Sequence, residues 1–81
     1  MLINQQQSNI DKMQVDTREL MFIKQNAPRG MTRLIADNLG LSTIKVTNEL
    51  RMIKENYDES IIKETRRLLK EIKGITYKAK N

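Results

Sequence analysis

The sequence contains no cysteine and no histidine. Disulfide frameworks, zinc fingers and catalytic triads built on His or Cys are therefore excluded. There is no tryptophan, and the aromatic side chains are Phe22, Tyr57 and Tyr77. One proline, Pro28, and three glycines, Gly30, Gly40 and Gly74, punctuate the chain. No apolar run approaches the ~20 residues that a membrane-spanning helix needs, and no signal peptide is visible. No Gly-rich phosphate loop follows a strand, and the acids are scattered, so neither an enzyme nor a cofactor or metal site is expected. The 81 residues allow one small domain. A core of that size gives modest stability unless a partner adds to it.

The charge is what the chain has in excess. Fifteen Lys and Arg stand against ten Asp and Glu, for a net charge of +5. Such a balance is a weak pointer to phosphate-rich partners, since many ordinary basic proteins share it.

Residues 1–12, rich in Gln, Asn and Ser, carry no helical or strand period and read as a disordered N-terminal arm. A single domain follows over 13–77, then a basic tail at 78–81. The first helix is predicted over 16–26, capped by Asp16 or Thr17, with Leu20, Ile23 and Ala27 at helical spacing and Phe22 alongside. Pro28 stops it, because the residue before a proline is pushed out of the α region. A short second helix runs over 31–39, with Leu34, Ile35 and Leu39 on its apolar face, and Gly40 closes it. Ser42 caps a third helix over 43–55, whose stripe is Val46, Leu50 and Ile53, with Tyr57 continuing the spacing. Asn56 to Glu59 fits a capping box, with Asp58 as a competing cap. The fourth helix spans 58–73, with Ile61, Ile62, Thr65, Leu68, Leu69 and Ile72 in one stripe, and Gly74 ends it. The five methionines read as flexible core filler. The expected fold is all-α: a small bundle of four helices.

One constellation carries meaning beyond packing. Ala36 is small enough to let two helices cross closely. Gly40, four residues on, supplies the positive-φ turn that a Cβ hinders. Leu41 plugs the corner, and Val46 and Leu50 come off the next helix to meet Ile35 and Leu39. Two short helices crossing over a glycine turn make a helix-turn-helix.

The run Leu34-Ile35-Ala36-Asp37-Asn38-Leu39-Gly40-Leu41-Ser42, with Val46 and Leu50 after it, resembles the helix-turn-helix of the lambda repressor-like superfamily. That superfamily includes the phage Cro and repressor domains and the lac repressor headpiece. The resemblance covers residues 31–51 and extends more loosely to about residue 77. Thr32 sits one position later than the usual N-cap of the first motif helix, which leaves Gly30 or Met31 in that role. Where headpiece proteins often run Thr-Val-Ser-Arg, this chain has Lys45-Val46-Thr47-Asn48.

The resemblance implies a small bacterial or phage transcriptional regulator, cytoplasmic and nucleoid-associated. It would bind double-stranded DNA as a sequence-specific protein with its third helix in the major groove. Thr43, Ile44, Thr47, Asn48 and Arg51 are then the candidate base contacts. Asn48 suits adenine, and Arg51 suits guanine or a phosphate. Ile44 suits a thymine methyl, or else belongs to the core. Arg29, Thr32, Arg33, Ser42 and Lys45 are the candidate phosphate contacts. Asp37 and Glu49 lie close to this surface, either paired with Arg33 or Arg51 or repelling phosphate.

The fourth helix and the short segment after it carry Ile61, Ile62, Leu68, Leu69, Ile72 and Ile75. Two uses are open for this stripe: a roof over the other helices, or the seam of a homodimer that sets two recognition helices on a palindromic site. The stripe also supports a second function, a protein-interaction module such as an antitoxin or anti-repressor. A membrane-surface role for the basic segment 61–80 is disfavoured by Glu64 and Glu71. No membrane partner and no small-molecule effector is expected.

Overall fold

The structure is a computed structural model that describes residues 12–78. Six elements succeed one another: β1 (Lys12–Met13), α1 (Thr17–Asn26), α2 (Met31–Leu39), α3 (Thr43–Arg51), β2 (Tyr57–Asp58) and α4 (Glu59–Lys73). The fold is an all-α bundle of four helices, with one two-residue antiparallel pairing of Lys12 with Asp58 and Met13 with Tyr57.

Local chemistry starts and stops each helix. The Asp16 carboxylate accepts the N–H of Arg18 at 2.8 Å and opens α1. Ala27 then leaves the helical region, at φ −66° and ψ 123°, as its position before Pro28 demands. Gly30, at φ 86°, stands at the N-cap of α2 without a capping side chain. At the other end Gly40 adopts φ 70°, and the N–H of Leu41 bonds back to the carbonyl of Ala36 at 2.9 Å. This closing pattern satisfies carbonyls that the helix end would otherwise orphan. Ser42 Oγ accepts the N–H of Lys45 at 3.1 Å and starts α3 after a turn of three residues.

The α2–turn–α3 unit packs its inner faces together and against α4. Ile35, Ala36, Val46 and Leu50 are buried there, joined by Leu20 and Ile23 from α1 and Met31 from α2. Leu39 and Leu41 are half-buried against the same core, and Leu34 sits at its exposed margin. From α4 come Ile61, Ile62, Leu68 and Leu69, all buried. Thr65 shares that stripe, and its hydroxyl donates to the carbonyl of Ile61 at 2.7 Å, so its burial leaves no donor unmet there.

The structure corrects several expectations. The third helix ends at Arg51, not 55. Tyr57 is buried, but in β2 rather than on a helix. Its hydroxyl donates to the carbonyl of Met52 and accepts the N–H of Lys54, both at 2.9 Å. Those bonds hold the chain in a loop, and Ile53 is left 72% exposed instead of facing the core. Asp58, not Asn56, caps α4, accepting the N–H and hydroxyl of Ser60, so the helix starts one residue later than expected. Met21 and Met52 are exposed rather than filling the core. The expected N-terminal arm loses its last residue to the strand pair, since Lys12 pairs with Asp58. Residues 1–11 of the arm and 79–81 of the tail lie outside the described residues.

The aliphatic stripe resolves the same way. Ile61, Ile62, Leu68 and Leu69 are consumed in the chain's own core and are not free to meet a second copy. Ile75 is half-buried against that core, and Ile72 alone of the six stands half-exposed. The bundle needs its roof, because three short helices cannot bury one another's apolar faces unaided.

Candidate nucleic-acid interface

α3 turns one flank inward and the rest outward. Val46 and Leu50 take the core side. Thr43, Ile44, Lys45, Asn48 and Arg51 are exposed, and Thr47 is half-buried. Positions 44, 47, 48 and 51 share one face, because residues three and four apart are neighbours on a helix. Ile44 is 72% exposed, which removes its reading as a core residue.

Thr47 and Arg51 line a shallow groove with Thr32 of α2 and Lys24 of α1, over a floor that includes Ile23, Met31 and Leu50. Thr32, a candidate phosphate contact, and Thr47 and Arg51, candidate base contacts, thus border the same depression. Arg29 and Arg33 are exposed at either side of the α2 N-terminus, and Lys45 on the first turn of α3. Ser42 is exposed, but its oxygen already accepts from Lys45 N–H, which leaves its hydroxyl proton for any outside partner.

Lys24 is a member that reading the sequence missed. Its ammonium donates to the carbonyl of Arg51 at 3.1 Å, at the negative end of the α3 dipole. Twenty-seven residues separate the two, so no local pattern announces the contact.

The two nearby acids behave differently from one another. Glu49 pairs with neither Arg33 nor Arg51. It accepts from the Lys54 ammonium and from the N–H of Asp58, each at 2.6 Å. Burial pushes its pKa up, but the bonds from Lys54 and Asp58 outweigh this and hold it below the ordinary value. Its charge is therefore neutralised on the side that faces β2. Asp37 is exposed, and among the described residues it forms no ion pair.

The cations divide in a similar way. On α4, Lys63 pairs with Glu59, Arg66 with Glu19, and Arg67 with Glu64 and Glu71. The hydrogen bonds that Arg67 donates to the Glu64 carboxylate hold Arg67 above its ordinary value and Glu64 below its own. By contrast Lys24, Arg29, Arg33, Lys45 and Arg51 have no acidic partner among the described residues. Between residues 24 and 51 there are five cations and two acids, Asp37 and the neutralised Glu49. Cations without an acidic partner therefore cluster on and beside the helix-turn-helix, whereas three of the five cations of α4 are paired and only Lys70 and Lys73, in its last turn, are not.

This arrangement offers amide, hydroxyl and guanidinium groups on one exposed helix, ringed by uncompensated cations, with no cluster of acids or His/Cys able to hold a metal among the described residues. No described helix is long and apolar enough to cross a membrane. Comparison of the chain with protein-family models, with curated proteins and with solved structures yields no match.

Proposed function

We propose that this protein binds double-stranded DNA with sequence preference, laying α3 in the major groove, as a small transcriptional regulator. The observation that carries the reading is the cluster of unpaired cations around the outward face of α3. Lys24 of α1 and Arg29, Arg33, Lys45 and Arg51 on and beside the helix-turn-helix have no acidic partner among the described residues, and they accompany an exposed face whose side chains can bond to base edges. Uncompensated cations suit a polyanion, since each phosphate they neutralise releases a counterion. An α-helix fits the major groove, where every base pair has its own pattern of donors and acceptors. Asn48 supplies the donor–acceptor pair that adenine needs, Arg51 the fork that guanine or a phosphate accepts, and Thr43 and Thr47 hydroxyls that bond either way. Arg29, Thr32, Arg33, Ser42 and Lys45 hold the flanking phosphates.

A protein-interaction module acting through α4 is the less favoured alternative, because Ile61, Ile62, Leu68 and Leu69 of its stripe are buried in the chain's own core and Ile72 stands half-exposed. A homodimer on a palindromic site is compatible with the DNA reading, through surfaces other than that stripe.

Selection of bound sites from random duplexes tests the proposal, together with affinity measurements at several salt concentrations. An enriched motif and a log–log salt slope of several units are expected. Absence of enrichment, with affinity flat in salt, overturns the reading.

A further inference from the structure

We propose that Ile44 reads the C5 methyl group of a pyrimidine in the major groove, which makes it a specificity-determining residue of the DNA site. This rests on the DNA-binding reading of α3. Lone exposed aliphatic residues are common and need no explanation by themselves. Ile44 differs by its place. It is 72% exposed on the first turn of α3 and takes no part in the hydrophobic core. The cap from Ser42 to Lys45 N–H fixes that turn. Thr47 and Asn48 lie three and four residues on, so they flank Ile44 on one face.

The rest of that face is polar or charged, so the question is what an isoleucine there can meet. Among the features that base pairs present in the major groove, hydrogen-bond donors and acceptors predominate, and the one apolar group is the C5 methyl of thymine. 5-Methylcytosine carries the same group at the same carbon. A γ- or δ-methyl of Ile44 packed on it removes apolar surface of both partners from water. Asn48 points to the same kind of step. Its amide bonds adenine N6 and N7, and the thymine paired with that adenine presents its methyl in the same groove. Ile44 and Asn48 together therefore suit a site with an A·T pair at or next to the Asn48 contact.

The experiment uses the full chain and its best selected duplex. Each thymine is replaced in turn by deoxyuridine, which deletes the methyl and leaves every hydrogen-bonding group unchanged. Wild-type protein is expected to lose about fourfold in affinity at one thymine per bound α3, the size of one buried methyl. Ile44→Ala should bind the dT and dU duplexes equally, and Ile44→Val should keep part of the difference. Because the side chain is exposed, these variants should retain wild-type circular dichroism and melting. At the sensitive position, dC and 5-methyl-dC are also compared. A gain from methylation there shows that the methyl itself is read, whereas a preference confined to dT shows that the thymine context is also required; both support the assignment. Binding that is indifferent to dU at every thymine, or discrimination that survives in Ile44→Ala, overturns the role of Ile44 and leaves duplex binding intact. Failure of wild-type protein to bind any duplex overturns the underlying reading instead.

Discussion

Arg66 grips Glu19 with two nitrogens of its guanidinium: Nε donates to Oε2 at 2.7 Å and Nη2 to Oε1 at 2.8 Å. Forty-seven residues apart in sequence, the two join α1 to α4 and set the helix in front of the helix-turn-helix against its roof. Glu19 is buried, at 6% exposure, so its carboxylate depends on this partner. The hydrogen bonds to Glu19 hold Arg66 above its ordinary value against the opposing effect of burial.

Arg66→Ala should therefore destabilise the fold by about 1–3 kcal/mol, the cost of a buried charge left without its partner, reduced because the arginine side is half-exposed. Thermal unfolding monitored by circular dichroism should show the midpoint falling by roughly 4–8 °C per kcal/mol in a domain this small. Arg66→Lys should recover part of the loss, since an ammonium cannot reproduce the two-pronged contact.

Gly40→Ala isolates the turn. Gly40 lies at φ 70°, and a Cβ placed there meets no atom within 4 Å. The penalty is then one of backbone conformation alone, roughly 1–2 kcal/mol. Urea denaturation should show a lower midpoint at unchanged slope. Gly40→Asn should cost less, because Asn tolerates the left-handed region.

Acid should weaken the joint between α3 and β2. Glu49 is held below its ordinary pKa in the folded chain by Lys54 and the N–H of Asp58. A carboxylate depressed on folding contributes stability at pH above its unfolded value, and that stability disappears as pH falls through the folded one. Stability should thus decline as pH drops through and below the usual glutamate value of about 4.3, with Glu64, also depressed, adding to the slope. Chemical denaturation across pH 7 to 3 checks this. Glu49→Gln should be less stable at pH 7 and flatter over the acid range.

Thr47→Ala with Asn48→Ala tests the base-reading face. Asn48 is exposed, and Thr47 is half-buried at the rim of the groove and outside the core, so helicity and melting should stay near wild type. Discrimination between the selected duplex and a scrambled one should fall by about 1–3 kcal/mol for the adenine contact alone, read by competition anisotropy. Undiminished discrimination would remove α3 from the groove.

Arg33→Ala and Lys45→Ala address the flanking cations. Neither residue has an acidic partner among the described residues. Each substitution should weaken specific and scrambled duplexes alike and lower the log–log salt slope by about one. Arg67→Ala is the contrasting control. Glu64 and Glu71 already engage that guanidinium, and its removal should leave the slope unchanged.

Local features were legible in the chain wherever short-range sterics or hydrogen bonds decide the outcome. Asp16, Ser42 and Asp58 cap because a short oxygen reaches the N–H groups two or three residues on. Ala27-Pro28 ends α1 and Gly40 ends α2 for reasons confined to a few bonds. The four-helix arrangement and the outward flank of α3 come from apolar spacing, which any solvent-facing helix must obey. What the tertiary structure alone decided depends on groups that meet across space. The spacing of Tyr57 from Leu50 and Ile53 mimics a continuing helix, yet its hydroxyl bonds to the backbone at Met52 and Lys54 and ends α3 early. Ile61, Ile62, Leu68 and Leu69 read equally as roof or seam, and only the bundle's need for cover assigns them to the core. The partners of Lys24, Glu19 and Glu49 could not be chosen from sequence, because a charged side chain carries no local signature of the group that folding brings to it.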